Sequence, residues 1–500
     1  MNLLTPTIVV TLPARTIADA QTQIDTARES GADLVEIRFD RFGGEELGRV
    51  TELFPSRLPL VATLRSRAEG GEGPDDRDGR ARLLGELSHY PFRWIDVELE
   101  RDWPAAASLL RPGERGLIVS SHRRTGVRET EWSHLLRSGV PAGAVRKVVV
   151  PASVGQLLRE FIPALPPAGE SPLVALTTGP SGPLLRAWSR RFGFAMVYAS
   201  LAEPSDGTSP PPVEPSQIPV DRLRPFLDAE GIPPLFAVVG RPVAHSRSPA
   251  LHARWMQERR QIGLYVALEF ENDREFVESI PPLLAGGFRG LNVTHPFKEV
   301  AMEVATRVGP GATACGVANT LSLGPDDVEA ENTDLVAILR RLEELRSSGH
   351  WDGTSLGVLG AGGAARATLA AARTLEVETR VWARRPESAE LLAREFDAEA
   401  VRDTKGTPPT LIVHATPVGR DAREPASLPE MIGWLRSGVH VIDWVYAPDN
   451  PVIREVTKRA GATYEDGSRL LVYQAAASYG IWWGEEPSPD QVSGALGEVA

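Results

Sequence analysis

The chain has 500 residues, of which 42% are hydrophobic and 24% are charged, and its formal net charge is −12 at pH 7. This length exceeds one ordinary hydrophobic core, so we expect two or three domains. The negative charge argues against a nucleic-acid partner and against binding to an anionic membrane surface. The single cysteine, Cys315, excludes an internal disulfide, and we find neither a membrane-length apolar run nor a signal-peptide pattern. We therefore expect a soluble cytoplasmic protein.

The first half contains eight short β-like runs separated by gaps that mostly fit one helix each. They are TIVVTL (7–12), DLVEIR (33–38), PLVATLR (59–65), RWIDVEL (93–99), GLIVSS (116–121), VRKVVV (145–150), PLVALTT (172–178) and FAMVYAS (194–200). Parallel strands need such crossovers, so the pattern predicts a (β/α)8 TIM barrel over residues 1–226. A proline-rich stretch at 203–234 separates it from a new strand-like run that begins at Leu235.

Chemistry in such a barrel belongs at the carboxyl ends of the strands. Charged and polar residues occupy these ends or the segments after them: Glu36, Arg38, Arg65, Asp96, Glu98, His122, Lys147, Arg186 and Gln217. Taken singly, each has a plain structural alternative. Glu36 and Arg38 could form a structural ion pair, and His122, followed by Arg123 and Arg124, could belong to a solvated loop.

Lys147 lies in the run AVRKVVVP (144–151), where it follows Arg146 directly. Neighbouring side chains on a strand point to opposite faces, so one of the two cations must point inward. An edge strand could carry such a charge to prevent aggregation, but a barrel has no edge to protect. We therefore expect Lys147 inside the barrel and Arg146 outside. A lysine desolvated among cationic neighbours has a lowered pKa and can form a Schiff base with a ketone.

The pattern resembles the type I 3-dehydroquinate dehydratases, through VEIRFD (35–40), TLRSRAEGG (63–71), IDVELE (95–100), SSH (120–122) and RKVVVP (146–151). The resemblance implies that Lys147 forms an imine with the substrate's 3-keto group. It makes His122 the general base and acid, with Glu98 orienting it. The residues that it assigns to the polar substrate site are Glu36, Arg38, Arg65, Arg186 and Gln217. The chain departs from the family at Arg123-Arg124 and at Val213, where a serine is usual.

The second half contains SLGVLGAGGAARATLAAART (355–374), which has the order strand, glycine turn, helix. Gly360, Gly362 and Gly363, with Ala361 and Ala364 beside them, would let the backbone approach a pyrophosphate at the helix N-terminus. The next strand-like run is followed by Arg384 and Arg385 rather than by an acidic residue, which favours NADP over NAD. We expect a Rossmann-like NADP-binding lobe over residues 350–467.

Ahead of this unit, three polar stretches resemble the shikimate dehydrogenases: GRPVAHSRSPALHARW (240–255), GLNVTHPFKEV (290–300), and GVANTL (316–321) with ENTDL (331–335). HATPVG (414–419) and LVYQAAASYGIWWG (471–484) follow in the family's order. The resemblance implies a substrate-binding lobe over 233–340, onto which a helix at 468–484 packs back. It makes Lys298 and Asp334 the catalytic pair. It implies substrate binding by Ser246, Ser248, Thr294, Asn319, Gln474 and Tyr446, with Asn292 nearby, and cofactor binding by Thr416. Ala253, Ala383 and His414 stand where the family often has asparagine.

Together the two resemblances imply consecutive steps of the shikimate pathway: dehydration of 3-dehydroquinate, then NADPH-dependent reduction of 3-dehydroshikimate. The expected partners are these small molecules, with no nucleic acid, membrane or metal. Two alternatives stay open. The barrel could be catalytically impaired beside an active shikimate or quinate dehydrogenase, or the chain could be a metabolite-sensing binding protein.

Overall fold

A computed structural model of the chain describes residues 5–109, 111, 114–137, 139–202, 212–418, 432–446 and 451–499. By packing, the chain divides into two compact units. The first comprises residues 1–235, 242–244 and 262–287, and the second comprises the remainder. The expected domain limits 1–226, 233–340 and 350–467 stay predictions.

The first unit contains eight parallel strands, and each of the eight predicted runs contains one of them. They are β1 (Thr7–Thr11), β2 (Leu34–Arg38), β3 (Leu60–Thr63), β4 (Trp94–Glu98), β5 (Gly116–His122), β6 (Val145–Pro151), β7 (Leu173–Thr178) and β8 (Met196–Ala199). They are hydrogen-bonded in the order β7-β6-β5-β4-β3-β2-β1-β8. Between the two end strands, the amide of Ala195 donates to the carbonyl of Leu173 at 2.8 Å. The predicted barrel is confirmed.

Helices cover the barrel, and one further strand and helix belong to the same unit. They are α1 (Ile17–Glu29), α2 (Gly44–Leu47), α3 (Arg77–Leu87), α4 (Glu129–Arg137), α5 (Val154–Gln156), α6 (Ile162–Ala164), α7 (Gly182–Ala187), α8 (Val220–Asp228), β10 (Leu264–Glu269) and α10 (Asp273–Ala285). In α1, Ile17, Ala20, Ile24 and Ala27 are buried at helical spacing. The helix is capped by Thr16, whose side chain accepts from the amide of Asp19.

The alternation of side chains along the strands explains how the barrel is filled. An apolar cluster that includes Val9, Leu34, Val61, Ile118 and Val145 packs together inside the unit. Two residues further along each of these strands, the same face carries a polar residue. These residues are Thr11, Glu36, Thr63, Ser120 and Lys147. The inward face therefore changes from apolar to polar toward the carboxyl ends of the strands.

The second unit contains two sheets. Its strands are β9 (Leu235–Gly240), β11 (Phe288–Val293), β12 (Arg307–Val308), β13 (Thr320–Leu323), β14 (Val328–Glu331), β15 (Ser355–Leu359), β16 (Glu378–Trp382), β17 (Glu399–Ala400), β18 (Leu411–His414), β19 (His440–Asp443) and β20 (Thr463–Glu465). In the first sheet, β9, β11, β13, β14 and β12 lie side by side. The second sheet is parallel in the order β17-β16-β15-β18-β19-β20, which is the 3-2-1-4-5-6 order of dinucleotide-binding sheets. The Rossmann-like lobe is confirmed.

The helices of the second unit are α9 (Ser248–Glu258), α11 (Val300–Glu303), α12 (Pro310–Cys315), α13 (Thr333–Ser347), α14 (Gly363–Thr374), α15 (Pro386–Phe396), α16 (Pro451–Arg459), α17 (Ser468–Trp483) and α18 (Pro489–Val499). Helix α17 is buried over most of its length. It contacts α13 and α9 and strands β11 and β13. Within the described residues, no helix has both the length and the apolar character needed to cross a membrane.

A glycine inside the barrel supplies a test of its packing. A Cβ atom at Gly116, the first residue of β5, would lie 2.2 Å from Cζ3 of Trp94. We expect Gly116→Ala to lower the free energy of unfolding by about 1–3 kcal/mol through overpacking. The control is Gly85→Ala in α3, where no atom lies within 4 Å. It should be neutral or stabilising by about 0.5–1 kcal/mol. Urea titration of both variants is the measurement, and equal stabilities would contradict the packing.

Candidate active sites

The ammonium of Lys147 lies inside the barrel, as the alternation of side chains predicts. Its Nζ lies 3.3 Å from Oε1 of Glu36 and 3.2 Å from Oδ2 of Asp96, and 3.7 Å from the ring centroid of Tyr198. Arg146 points the other way, and its guanidinium donates to the carbonyl of Leu135 in α4. The expected cationic neighbours are not the groups in direct contact. Two carboxylates surround the ammonium, because burying a cation without compensating charge is costly.

Glu36 is held by two threonines from neighbouring strands. Thr11 donates to Oε2 and Thr63 to Oε1, both at 2.8 Å. Arg38 instead makes a bidentate pair with Asp40, at 2.8 and 2.7 Å. Burial alone would raise the pKa of Asp40, but the hydrogen bonds and charge of Arg38, together with the backbone amides of Glu72 and Arg65, outweigh it and hold that pKa below its usual value. The alternative that Glu36 and Arg38 pair with each other is therefore wrong.

His122 is the last residue of β5, and the carboxylate against it is Glu69. Oε2 of Glu69 accepts from the His122 amide at 2.9 Å and lies 3.3 Å from Nδ1 of the ring. The expectation that Glu98 orients His122 is corrected. Oε1 of Glu98 accepts instead from the Ser66 amide at 2.8 Å, and it lies 3.4 Å from Nη1 of Arg65. Side-chain alternation along the strands could not predict which of the two carboxylates contacts His122. Glu69 lies outside the strands, in the loop after β3, where a 3-10 turn brings it back over the barrel.

Arg65 connects the acidic groups of this site. Its Nη1 donates to Glu69 at 3.1 Å and to Ser120 at 2.9 Å, and its Nη2 donates to Asp96 at 2.9 Å. Burial raises the pKa of Glu69 to about 7, and nearby carboxylates add to this although Arg65 opposes it. Burial also lowers the pKa of His122 well below its usual value, and the positive charges of Arg65 and Lys147 lower it further. The imidazole is therefore neutral near pH 7 and can accept a proton.

Arg186, in α7, is buried and donates to backbone carbonyls of Tyr198, Thr177 and Gly182. Its Nη2 also lies 3.4 Å from Glu214, in the segment that leads to Gln217. Burial lowers the pKa of Arg186. The side-chain Nε2 of Gln217 donates to Oγ1 of Thr11 at 3.5 Å, so this segment touches the rim of the same site. Arg186 and Gln217 thus lie beside the strand ends, and their roles in substrate binding stay predictions.

Three contacts of this site were assigned no role from the sequence. Glu69 lies within TLRSRAEGG, so the motif itself held the signal. Asp96 lies two residues before Glu98 on β4 and therefore shares its inward face. Tyr198 carries no sequence signal, because a tyrosine in an apolar strand is usually a packing residue.

The second unit holds its own lysine–carboxylate site. Nζ of Lys298 donates to Oδ2 of Asp334, and Nδ2 of Asn319 donates to Oδ1 of Asp334 at 2.9 Å. Asp334 lies in the first turn of α13, which Asn332 caps by accepting from the amide of Leu335. A carboxylate is stabilised at this end of a helix. The NT and NTD motifs are therefore brought together with Lys298.

The other predicted substrate residues differ in burial and in their hydrogen-bond partners. Asn292 is buried and donates to Thr320 at 3.3 Å, and Gln474 is buried on α17, where it donates to the carbonyl of Leu471 at 2.9 Å. The hydroxyl of Ser246 accepts from the amide of Ser248 at 3.3 Å, at the start of α9. Thr294 follows β11 and is half-buried, and it packs against Gly240. Tyr446 is half-buried and precedes residues 447–450, which lie outside the described residues.

The glycine turn after β15 has the geometry that a dinucleotide needs. Gly360 has φ +127°, and a Cβ there would lie 2.4 Å from the carbonyl oxygen of Ala415, so only glycine fits. Gly362 is the N-cap of α14, with open space around it. Ala361, Gly363 and Ala364 complete the turn. Arg384 and Arg385 are exposed after β16, the neighbouring strand. A pyrophosphate at the helix N-terminus and a 2′-phosphate near these arginines fit this donor set.

We expect the pH profile of any proton transfer at His122 to depend on Glu69. The raised pKa keeps part of Glu69 protonated up to about pH 7, and the ionised carboxylate accepts more strongly from Nδ1–H of His122 than the protonated carboxyl does. The kcat of a reaction that depends on this transfer should therefore fall as the pH drops below about 7. Glu69→Gln should lower kcat and remove this inflection. The control is Glu72→Gln, since Glu72 is about half exposed and pairs with Arg15. An unchanged inflection in Glu69→Gln would contradict the assignment.

Comparison with known proteins identifies the families that each half of the chain resembles. Residues 8–233 match the family model described as type I 3-dehydroquinase, and residues 238–321 match the shikimate dehydrogenase substrate-binding domain. The shikimate dehydrogenase (NADP(+)) of Acidiphilium cryptum (strain JF-5) is 34% identical over 263 residues, which cover 51% of this chain and 92% of that protein.

Two further proteins are similar to this chain, one over nearly its whole length and one over about half of it. The bifunctional 3-dehydroquinate dehydratase/shikimate dehydrogenase, chloroplastic, of Arabidopsis thaliana is 25% identical over 509 residues, covering 93% of this chain and 80% of that protein. A solved shikimate 5-dehydrogenase from Thermus thermophilus, in complex with NADP(H) and shikimate, is 32% identical. It covers 53% of this chain and 99% of that chain, with a TM-score of 0.47.

Proposed function

We propose that this chain, which belongs to the shikimate dehydrogenase family and carries a type I 3-dehydroquinase region ahead of it, is a bifunctional enzyme. It dehydrates 3-dehydroquinate to 3-dehydroshikimate and then reduces 3-dehydroshikimate to shikimate with NADPH. The observation that carries the proposal is that each of the two family-matched regions holds a lysine paired with a carboxylate: Lys147 is buried against Glu36 and Asp96, and the partly buried Lys298 pairs with Asp334. The whole-length similarity to the Arabidopsis protein supports having both activities in one chain.

In the dehydratase reaction, the amine of Lys147 attacks the 3-keto carbon of the substrate, and loss of water gives a protonated imine. Lys147 must first give up a proton, and Glu36 and Asp96 are acceptors in direct contact with it. The imine withdraws electrons, so the neighbouring C2–H becomes acidic. His122 takes this proton and then returns one to the C1 hydroxyl, which leaves as water. Hydrolysis of the imine releases the product and restores Lys147.

Glu69 is a positioning residue in this scheme, since it contacts His122 rather than the substrate position. Arg38, Arg65 and Arg186 supply positive charge for the substrate carboxylate and hydroxyls, and an arginine suits a carboxylate best. Glu98, which lies 3.4 Å from Arg65, acts on the same network and not on the histidine directly.

In the dehydrogenase reaction, NADPH supplies a hydride to the 3-keto carbon. Lys298 stabilises the oxygen as negative charge develops there, and then protonates it. Asp334 holds the ammonium of Lys298 in place, and Asn319 holds the other oxygen of Asp334. Ser246 and Ser248 bind the substrate carboxylate, and Thr294 and Gln474 bind its ring hydroxyls. Gly360, Gly362, Gly363 and Arg384 bind the cofactor phosphates.

We also propose that the chain acts in the cytoplasm on small molecules and not on nucleic acid. Its negative net charge and its one cysteine, which is buried, support this. Because the Arabidopsis protein is chloroplastic, the location needs its own measurement by cell fractionation.

Borohydride trapping tests the first reaction. With 3-dehydroquinate or product present, reduction of the imine should leave a covalent adduct on Lys147, visible as a mass increase on its peptide. Lys147→Met should give no adduct. Lys298→Met is the matched control, because it removes the other lysine that pairs with a carboxylate, and it should trap normally. Absence of an adduct in the unmodified chain would contradict the dehydratase assignment and favour an impaired barrel.

A coupled assay of NADPH oxidation separates the two activities. The unmodified chain should oxidise NADPH from either 3-dehydroquinate or 3-dehydroshikimate. Lys147→Met should respond only to 3-dehydroshikimate. Lys298→Met should lower the rate from both by about 10²–10⁴-fold, the usual contribution of a positioned acid. Binding of the substrates without turnover would instead indicate a metabolite sensor.

A further inference from the structure

A buried chain of side chains ends at the cofactor side of the parallel sheet and has no role in the scheme above. His414 is the last residue of β18 and Asp443 the last of β19, and the two are opposite each other in the parallel ladder. Nδ1 of His414 lies 2.8 Å from Oδ1 of Asp443, and their side chains are 1% and 0% exposed. On the other side of the ring, Nε2 lies 2.6 Å from Oγ1 of Thr416.

The partners of Asp443 determine which ring nitrogen carries the proton. Oδ1 of Asp443 also accepts from the amide of Val445 at 2.9 Å, and Oδ2 accepts from the hydroxyl of Tyr464 at 3.0 Å. The carboxylate therefore presents only acceptors to the imidazole. Nδ1 of His414 must donate, and in a neutral imidazole this leaves Nε2 as an acceptor.

This tautomer fixes the direction in which the hydroxyl of Thr416 donates its hydrogen bond. Because Nε2 of His414 accepts, the hydroxyl proton of Thr416 points to it. A hydroxyl has one proton and two acceptor positions, and one acceptor position already receives the amide of Val418 at 3.1 Å. Thr416 therefore keeps one free acceptor position and no free donor.

Thr416 stands at the place where a dinucleotide would lie. β18 is the neighbour of β15 on the side where the strand order reverses, which is where such sheets bind ligands. A Cβ at Gly360 would lie 3.2 Å from Cγ2 of Thr416, so the threonine borders the glycine turn. Thr416 is half-buried beside that turn.

We propose that Asp443 and His414 are positioning residues that hold Thr416 as an obligate hydrogen-bond acceptor for a donor group of bound NADP(H). The donor is either the carboxamide N–H of the nicotinamide or a ribose hydroxyl. This inference rests on the NADP(H) cofactor of the proposed function. An asparagine at position 414, which the family often has, could donate or accept and would not fix the polarity of Thr416.

The tautomer has a direct readout that needs no turnover. Nitrogen-15 spectra of the histidine side chains should show His414 protonated at Nδ1 and bare at Nε2, with the signal assigned by its loss in His414→Asn. A protonated Nε2, either as the other tautomer or as the imidazolium, would overturn the proposal.

Binding of NADPH, measured by fluorescence titration, tests the role of the free acceptor position. Thr416→Val keeps the shape and should raise the Kd about 3- to 10-fold, the range that one neutral hydrogen bond contributes. Thr416→Ser should bind as the unmodified chain does. His440→Asn is the control, because it changes a histidine at the opposite end of β19, and it should leave the Kd unchanged.

A double-mutant cycle isolates His414. His414→Asn should weaken NADPH binding when Thr416 is present and have little effect in the Thr416→Val background. Additive effects would overturn the positioning role, as would an unchanged Kd in Thr416→Val.

The oxidised 3-acetylpyridine analogue of the cofactor lacks the carboxamide donor, so NADP⁺ is its reference. If the Thr416→Val penalty disappears with this analogue, the carboxamide is the donor, and if it persists the ribose hydroxyl is. Failure of the unmodified chain to bind NADPH would overturn the cofactor assignment itself.

Discussion

Burying the Lys147 ammonium inside a barrel of parallel strands requires compensating charge, and most of the first site follows from that requirement. Glu36 and Asp96 contact the ammonium directly. The two carboxylates are buried in turn, so they need donors of their own, which Thr11, Thr63, Ser120 and Arg65 supply. Arg65 then draws Glu69 and Glu98 toward it. The result is one connected network in which breaking any pair would leave an uncompensated charge.

This network also sets the state of the general base. Burial raises the pKa of Glu69 and lowers that of His122, so the two groups are driven toward neutral forms. A neutral imidazole beside a carboxyl that titrates near neutral pH is suited to taking and returning a proton. In the second unit a lysine charge is also compensated by a carboxylate, but fewer residues take part. Lys298 there pairs with Asp334, which Asn319 and the first turn of a helix both stabilise.

The barrel and the Rossmann-like sheet both place polar groups at the carboxyl ends of parallel strands, and for the same physical reason. Backbone hydrogen bonding ends there, so side chains and loop amides are free to meet a ligand. In the barrel the inward positions change from apolar to polar along each strand. In the Rossmann-like sheet the ends of β15, β18 and β19 bring together Gly360, Thr416, His414 and Asp443. The pairing of His414 with Asp443 adds a buried hydrogen-bond network at the ends of β18 and β19 while the order of the strands stays that of a dinucleotide-binding sheet.

The sequence alone determined the architecture, because strand periodicity, helix-length gaps and the glycine turn are local properties. It also placed Lys147 and Arg146 on opposite faces of β6, since side chains alternate along a strand, and the expectation that Lys147 is the inward one agrees with the structure. The pairings were decided by tertiary structure. Sequence assigned Glu98 to His122 and left Glu36 free to pair with Arg38, whereas the fold puts Glu69 on the histidine and Asp40 on the arginine. Which of several carboxylates meets a given cation depends on loop paths over the barrel mouth. Those paths are set by contacts between residues distant in sequence, which no local pattern encodes.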